Sequence, residues 1–178
     1  QQKKIDFMHS LAALEPDLVM NTGDNLSHVG GMEPLLEALD PLMDFPGVFV
    51  PGSNCYFAPV FKNPARYLWQ PRTPQMIEEG SRVALPIERM HDAFESRGWT
   101  GLVNRYDTLN LKGLRLEFSG VDDPHLRYDE HPGFAPGAFD EGDEPSVRIG
   151  VAHAPYMRTL HRFVQDGAQA IFAGHTHG

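Results

Sequence analysis

Apolar residues recur every three or four positions in several stretches of the chain, and this spacing predicts amphipathic helices. In the first fifteen residues, Phe7, Leu11 and Leu14 fall on one helical face, and Glu15-Pro16 follows as a stop signal. The same spacing predicts three further helices, near residues 32–41, 86–97 and 157–164.

Short, continuous apolar runs stand between these helices and predict buried strands. The runs cover residues 17–21, 47–50, 147–152 and 168–173. Helices that alternate with strands in this way are typical of parallel βαβ units. The chain is therefore expected to have an α/β fold.

The pattern changes after residue 100, where three short apolar segments follow one another without a helix between them. They cover residues 101–103, 108–111 and 114–118, and Lys112-Gly113 is predicted to be the hairpin turn between the last two. These segments predict an antiparallel part of the sheet structure that follows the βαβ half.

Length and composition favour one globular domain over residues 1–178, with 41% hydrophobic and 22% charged residues. The net charge of −9 argues against non-specific binding to nucleic acid, because a phosphate backbone attracts cationic proteins. No apolar run is long enough to span a bilayer, so a soluble domain is expected, in the cytoplasm or at a membrane surface. The oligomeric state is left open.

Residues of the types that bind metal ions follow four of the predicted strands. They are Asp24, Asn54, His153, His175 and His177. In open α/β sheets, ligands gather beyond the carboxyl ends of the strands, so these five side chains are expected to converge on one crevice. His175 and His177 are separated by one residue and would point to the same face of an extended strand.

Carboxylate, amide and imidazole groups together suit divalent ions such as Mn, Zn or Fe. Two ions about 3.5–4 Å apart can activate water and hold the oxygens of a phosphoryl group. We therefore expect two divalent metal ions as cofactors and a small phosphorylated substrate.

Four short motifs follow one another along the chain: Asn21-Thr22-Gly23-Asp24-Asn25, Gly52-Ser53-Asn54-Cys55-Tyr56, Val151-Ala152-His153-Ala154-Pro155 and Gly174-His175-Thr176-His177. In this order they resemble the motif series of the calcineurin-like metallophosphoesterases of bacterial type. The resemblance covers nearly the whole chain. It implies a four-layer α/β/β/α sandwich of mixed sheets and an enzyme that hydrolyses phosphate mono- or diesters with metal-activated water.

The resemblance also implies roles for individual residues. Asp24 would bridge both metal ions, His153 and His175 would bind one ion, and His177 would bind the other. Asn54 is interpreted as a metal ligand or substrate contact. Asp24 and Asn54 are accordingly the expected catalytic residues.

Two departures from the family pattern bear on this interpretation. The family's opening Asp-x-His motif does not occur before Asp24, which we interpret as truncation at the N-terminus; the C-terminus could be truncated as well. A gapless alignment places Ser53 on the metal-binding Asn of the family, Asn54 on its catalytic His and Cys55 on its acid, whereas a shift of one residue restores Asn54 as a ligand. The alternative hypothesis is a degenerate domain of the same fold that acts as a binding or scaffold protein.

Several other polar residues are interpreted without a catalytic role. Cys55 is expected to be a passive or metal-adjacent thiol, because no Cys-His catalytic pattern accompanies it. The segment Asp122-Asp123-Pro124-His125 is interpreted as a turn rather than a substrate contact. Residues 56–84 predict a long loop or lid whose aromatic residues suit a substrate with an apolar part, and whose basic residues are interpreted as solvated. These basic residues are Lys62, Arg66, Arg72 and Arg82.

Overall fold

Two β-sheets and the helices packed on them make up the computed structural model, which describes residues 2–59, 83–136 and 145–177. The described residues form a mixed α/β structure with five α-helices and seven strands. No helix in these three ranges is both long enough and apolar enough to cross a membrane.

The first sheet is parallel, with the strand order β1-β2-β3. Its strands are β1 (Val19–Asn21), β2 (Gly47–Phe49) and β3 (Thr100–Gly101). Helices α1 (Gln2–Ala12), α2 (Met32–Leu39), α3 (Ser53–Tyr56) and α4 (Ile87–Ser96) belong to this half of the chain. Because α2 connects β1 to β2, the predicted parallel βαβ unit is confirmed.

The prediction for residues 101–103 was wrong, because this segment does not join the antiparallel strands. It contributes to β3, which pairs in parallel with β2 of the first sheet. The pairing continues beyond the strand, where the Leu102 amide donates a hydrogen bond of 2.8 Å to the Phe49 carbonyl. The preceding helix α4 explains the error: it returns the chain to the start of a parallel strand, as in a βαβ unit.

The second sheet is mixed, with the order β4-β5-β6-β7. Strands β4 (Arg105–Leu111) and β5 (Leu114–Gly120) form an antiparallel hairpin with Lys112-Gly113 at its turn, as predicted. Both turn residues have positive φ. Strands β6 (Ser146–Ala152) and β7 (Ala170–Ala173) continue the sheet in parallel from β5. Helix α5 (Met157–Gln165) connects β6 to β7.

Strand β2 is buried on both faces and separates two parts of the core. Phe49 packs into a cluster with Phe94 and Trp99 on the helical side of the first sheet. Its neighbours Val48 and Val50 point the other way and pack against residues of β5 and β6 such as Phe118. A third cluster, formed by Val121, Ala152 and Phe163, joins α5 to the second sheet.

The two predicted long loops are described only in part. Residues 60–82 lie outside the described residues, and so do Lys62, Arg66, Arg72 and Arg82. The ends of this loop meet where Phe57 pairs with Ala84 in an isolated antiparallel bridge. Residues 137–144 of the second loop are also outside the described ranges.

Removing the Phe118 ring should destabilise the fold, because this side chain is 1% exposed and fills the space between the sheets. Phe118→Ala is expected to lower the free energy of unfolding by about 3–5 kcal/mol, measured by urea denaturation. Phe7→Ala is the matched control, since Phe7 is 60% exposed on α1 and should change stability by no more than about 0.5 kcal/mol. Equal losses in both variants would contradict this description of the core.

Candidate metal centre

Asp24 lies at the carboxyl end of β1, in a sharply turned segment. The Asn21 side chain accepts a hydrogen bond of 3.0 Å from the Gly23 amide, which closes a turn directly after the strand. Gly23 and Asp24 have φ values of 96° and 58°. A left-handed conformation at a non-glycine residue such as Asp24 costs about 1–3 kcal/mol, and such strain clusters at functional sites.

His153 follows β6 and is the most deeply buried of the predicted ligands, at 1% exposure. Its Nδ1 lies 2.7 Å from the Thr22 carbonyl oxygen, which can only accept a hydrogen bond. Nδ1 therefore carries a proton, and Nε2 faces the site. Nε2 lies 3.4 Å from Asp24 Oδ1 and 3.2 Å from His175 Nδ1.

His175 follows β7 and lies on the open side of the site. Its backbone has a φ of 68°, and the preceding Gly174 amide donates a hydrogen bond of 2.8 Å to the His153 carbonyl. This bond holds the ends of β6 and β7 together after the strands have ended. The ring centroids of His153 and His175 are 5.1 Å apart, and the His175 side chain is exposed.

These three side chains fit a metal ion of the first transition row. Ligand atoms of Asp24, His153 and His175 all lie within 4.8 Å of one another. Two ligands at about 2.0–2.1 Å from a tetrahedral ion are about 3.4 Å apart, and the contacts of 3.4 and 3.2 Å match this spacing. Among the described residues, this is one cluster of three ligands, which accounts for one ion.

Asn54 contacts the carboxylate of Asp24. Its backbone amide donates a hydrogen bond of 2.8 Å to Oδ1, and its side-chain amide donates one of 3.0 Å to Oδ2. Both hydrogen bonds orient the carboxylate and stabilise its negative charge. Asn54 thus lies beside the predicted ligand Asp24. The side-chain atom of Asn54 that contacts Asp24 is its amide nitrogen, Nδ2.

Gly52 allows the strand ends to approach one another. A Cβ atom at this position would lie 2.5 Å from Asp24 Oδ1 and 2.6 Å from His153 Nδ1. Non-bonded atoms do not approach so closely, so any larger residue would push Asp24 and His153 apart. Glycine at position 52 is therefore a requirement of the cluster.

Charges within the cluster shift the pKa values of its members. Burial raises the pKa of Asp24, but hydrogen bonds from His153 and from the Asn54 backbone outweigh burial and leave this pKa below its ordinary value. Burial lowers the pKa of His153, yet its hydrogen bonds with Asp24 and Thr22 leave it above the ordinary value. Burial and the neighbouring His153 and His125 lower the pKa of His175. A proton on His153 thus competes with a metal ion for Nε2.

His177 lies apart from the cluster of Asp24, His153 and His175. Its side chain is exposed, and its φ of 57° shows a second left-handed turn shortly after His175. The chain leaves the extended conformation at Gly174, because β7 ends at Ala173. The expectation that His175 and His177 share one face of a strand was therefore wrong.

Cys55 is fully buried beneath the cluster. Its Sγ accepts hydrogen bonds of 3.5 Å from the backbone amides of Asn25 and Gly52. Burial raises the pKa of this thiol. A buried thiol with a raised pKa agrees with the interpretation of Cys55 as passive.

Sequence reasoning missed the polar contacts made by residues that follow β5. The Tyr56 hydroxyl donates a hydrogen bond of 2.7 Å to the carboxylate of Asp122, and burial raises the pKa of both groups. The His125 ring lies 5.1 Å from the His175 ring, and its Nδ1 lies 2.9 Å from the Tyr156 hydroxyl. The predicted turn is confirmed over residues 124–127, and the position of this segment after a strand was the available signal that it could reach the cluster.

Comparisons with known proteins add a relative with no stated activity. The chain is 29% identical over 92 residues to the uncharacterized protein YpbG of Bacillus subtilis (strain 168). This alignment covers 51% of the chain and 33% of that protein, so the chain spans about a third of its relative's length. No protein-family model and no solved structure matches the chain.

Loss of a clustered side chain is expected to weaken the binding of Zn²⁺ or Mn²⁺. Asn54→Ala removes a donor that orients Asp24 and should lower metal affinity about tenfold, whereas Asp24→Asn and His175→Ala remove charge or a donor atom and should lower it roughly 100-fold. Titration calorimetry of the metal-free protein measures these affinities. His161→Ala, on the exposed face of α5, is the control. Affinities equal to that of wild type in all variants would refute the site.

Cys55 should resist thiol reagents in the native protein, because the side chain is buried and its pKa is raised. With a disulfide reagent such as 5,5′-dithiobis(2-nitrobenzoate), we expect negligible reaction in buffer and one thiol per chain in concentrated urea. Absorbance of the released thiolate follows the reaction. Rapid labelling of the folded protein would indicate a reactive cysteine instead.

Proposed function

We propose that this chain is a metal-dependent phosphoesterase related to the calcineurin-like metallophosphoesterases, which hydrolyses phosphate mono- or diesters. The observation that carries the proposal is the convergence of Asp24, His153 and His175, which follow strands of two different sheets. These residues are far apart in the sequence and occupy strained or closely packed positions. An arrangement of this kind is typical of a functional site.

Asp24 is the central metal ligand in this proposal. Its lowered pKa keeps the carboxylate ionised at neutral pH, and the two donors of Asn54 fix its orientation. Asn54 therefore acts through Asp24. The requirement for glycine at position 52 supports the same assignment, since it brings Asp24 against His153.

The two histidines divide the site into a closed and an open side. His153 is buried, and its bond to the Thr22 carbonyl fixes the tautomer that leaves Nε2 free to coordinate. His175 is exposed, and its lowered pKa favours the neutral form that a metal ligand needs. A substrate would approach from the side of His175.

The proposal includes two divalent ions, with Mn, Zn or Fe as candidates. When bound, such ions supply activation of water and neutralisation of charge on a phosphoryl group. Asp24, His153 and His175 can hold one ion. The second would use Asp24 as the shared ligand together with His177, after a change in the exposed turn that carries His177.

The order of the core clusters supports the four-layer sandwich that the resemblance implies. Helices pack on one face of the first sheet, the two sheets pack on each other, and α5 packs on the second sheet. Such packing brings the carboxyl ends of β1, β2 and β6 to one edge. This is the edge at which ligands bind in open α/β sheets.

A degenerate domain that binds a ligand without hydrolysing it is the competing proposal. The observation in its favour is that the described residues offer three clustered ligands, while the side chain of Asn54 is engaged with Asp24. A dinuclear site needs more ligands than these. Turnover separates the two proposals, because both predict metal binding.

Hydrolysis of 4-nitrophenyl phosphate and of bis(4-nitrophenyl) phosphate tests the proposed activity. With Mn²⁺ or Zn²⁺ added, we expect turnover that chelation abolishes and that falls at least about 100-fold in Asp24→Asn and His175→Ala, because each variant loses a ligand. His161→Ala should retain wild-type activity.

Measuring metal binding on the same samples makes an absence of turnover interpretable. Bound metal without hydrolysis of either ester by the full-length protein would favour the binding domain. Turnover that persists in both ligand variants would reject the proposed site.

A further inference from the structure

His125 and Tyr156 form an exposed pair beside the metal cluster. His125 lies on the loop after β5, and Tyr156 directly precedes α5. His125 Nδ1 lies 2.9 Å from the Tyr156 hydroxyl, and both residues are exposed. The His125 ring is also 5.1 Å from the ring of His175, so the pair borders the open side of the cluster.

The pair presents a hydrogen-bond donor in either arrangement of its shared proton. If the Tyr156 hydroxyl donates to His125 Nδ1, then Nε2 of the neutral ring carries a proton that is free to donate. If Nδ1 donates to the hydroxyl oxygen, then the hydroxyl hydrogen is free instead. One donor is therefore available in each arrangement.

Surrounding contacts hold the backbone of His125 and the ring of Tyr156 in place. The buried Asp123 carboxylate accepts a hydrogen bond of 2.9 Å from the His125 backbone amide and another of 3.3 Å from the Leu126 amide. The Arg158 guanidinium lies 5.1 Å from the centre of the Tyr156 ring and is paired with Asp129. Binding costs less entropy when a donor is held in advance in this way.

The charged groups around the pair attract an anion only weakly, because they are already paired. Arg158 forms an ion pair with Asp129, and the Asp123 carboxylate accepts hydrogen bonds from backbone amides. A bare anion without a metal ion nearby would gain little from this neighbourhood. The pair thus suits a ligand that the adjacent metal site holds and that presents an oxygen acceptor at its rim.

We infer that His125 and Tyr156 form a substrate-binding pair that donates a hydrogen bond to a phosphoryl oxygen of the ester bound at Asp24, His153 and His175. This inference rests on the proposed function. The pair would supply a side-chain contact to the phosphoryl group at a site where Asn54 is already engaged with Asp24.

Steady-state kinetics and phosphate binding together test this inference on the full chain loaded with Mn²⁺. His125→Ala and Tyr156→Phe should each raise KM for 4-nitrophenyl phosphate about five- to tenfold, with a smaller change in kcat, because one hydrogen bond to a charged oxygen is lost. The dissociation constant of inorganic phosphate, from titration calorimetry, should rise by the same factor. His125→Asn keeps a donor and should recover part of the affinity.

Controls separate a substrate contact from a structural role. Metal affinity and melting temperature should stay at wild-type values in both variants, and His161→Ala and Tyr106→Phe should leave KM unchanged. Because the two residues act as one unit, the double variant should be little worse than the more impaired single variant. Unchanged KM and phosphate affinity in both single variants would overturn the inference, as would losses fully explained by weaker metal binding.

The His125–Tyr156 pair can also be tested if the protein has no esterase activity. If wild type binds metal but hydrolyses no ester, the phosphate titration decides. Weaker phosphate binding in His125→Ala and Tyr156→Phe would then support the pair as an oxyanion contact in a binding domain. No difference from wild type, or no phosphate binding by wild type, would overturn it.

Discussion

The hydrogen bond from His153 Nδ1 to the Thr22 carbonyl is the contact on which the site depends. It joins residues that are 131 positions apart and links the end of a strand in the first sheet to the end of a strand in the second. The bond fixes the tautomer of His153 and places its Nε2 against Asp24. The packing of Phe118 and its neighbours between the sheets holds these two strand ends at this distance, and Gly52 lets them approach so closely. The packing of the core therefore determines the geometry of the candidate site.

Much of the fold follows from local pattern, because apolar periodicity reports which face of an element is buried. The boundaries of α1, α2, α4 and α5 agree with the sequence spacing to within a few residues, and the hairpin at Lys112-Gly113 follows from turn chemistry. The position of residues 101–103 could not be obtained in this way. A two-residue strand carries too little sequence pattern to indicate which strand it pairs with. Its pairing with β2 depends on the path of α4 through space.

The candidate site was predictable where a polar residue comes soon after a strand. Asp24 comes shortly after β1 and His153 directly after β6, and the general rule for open α/β sheets brings such positions together. His177 departs from expectation because the chain turns at Gly174, so that alternation along a strand no longer applies. The contact of Asn54 with Asp24 depends on the start of a single-turn helix. His125 comes near His175 only through the second sheet, a relation that no local spacing reveals.

Two acceptor atoms of the cluster lie close together. Nδ1 of His153 donates to a carbonyl, so in the neutral ring Nε2 presents a lone pair toward Asp24 Oδ1, which is itself an acceptor. Two acceptors 3.4 Å apart repel each other unless positive charge lies between them. A proton on Nε2 can supply that charge, which is the physical reason that the pKa of His153 is raised. A divalent ion at this point would supply it as well and would also attract the lone pair of His175 Nδ1. The strained backbone of Asp24 and the glycine at position 52 thus hold together acceptor atoms that a shared proton stabilises and that a metal ion would also stabilise.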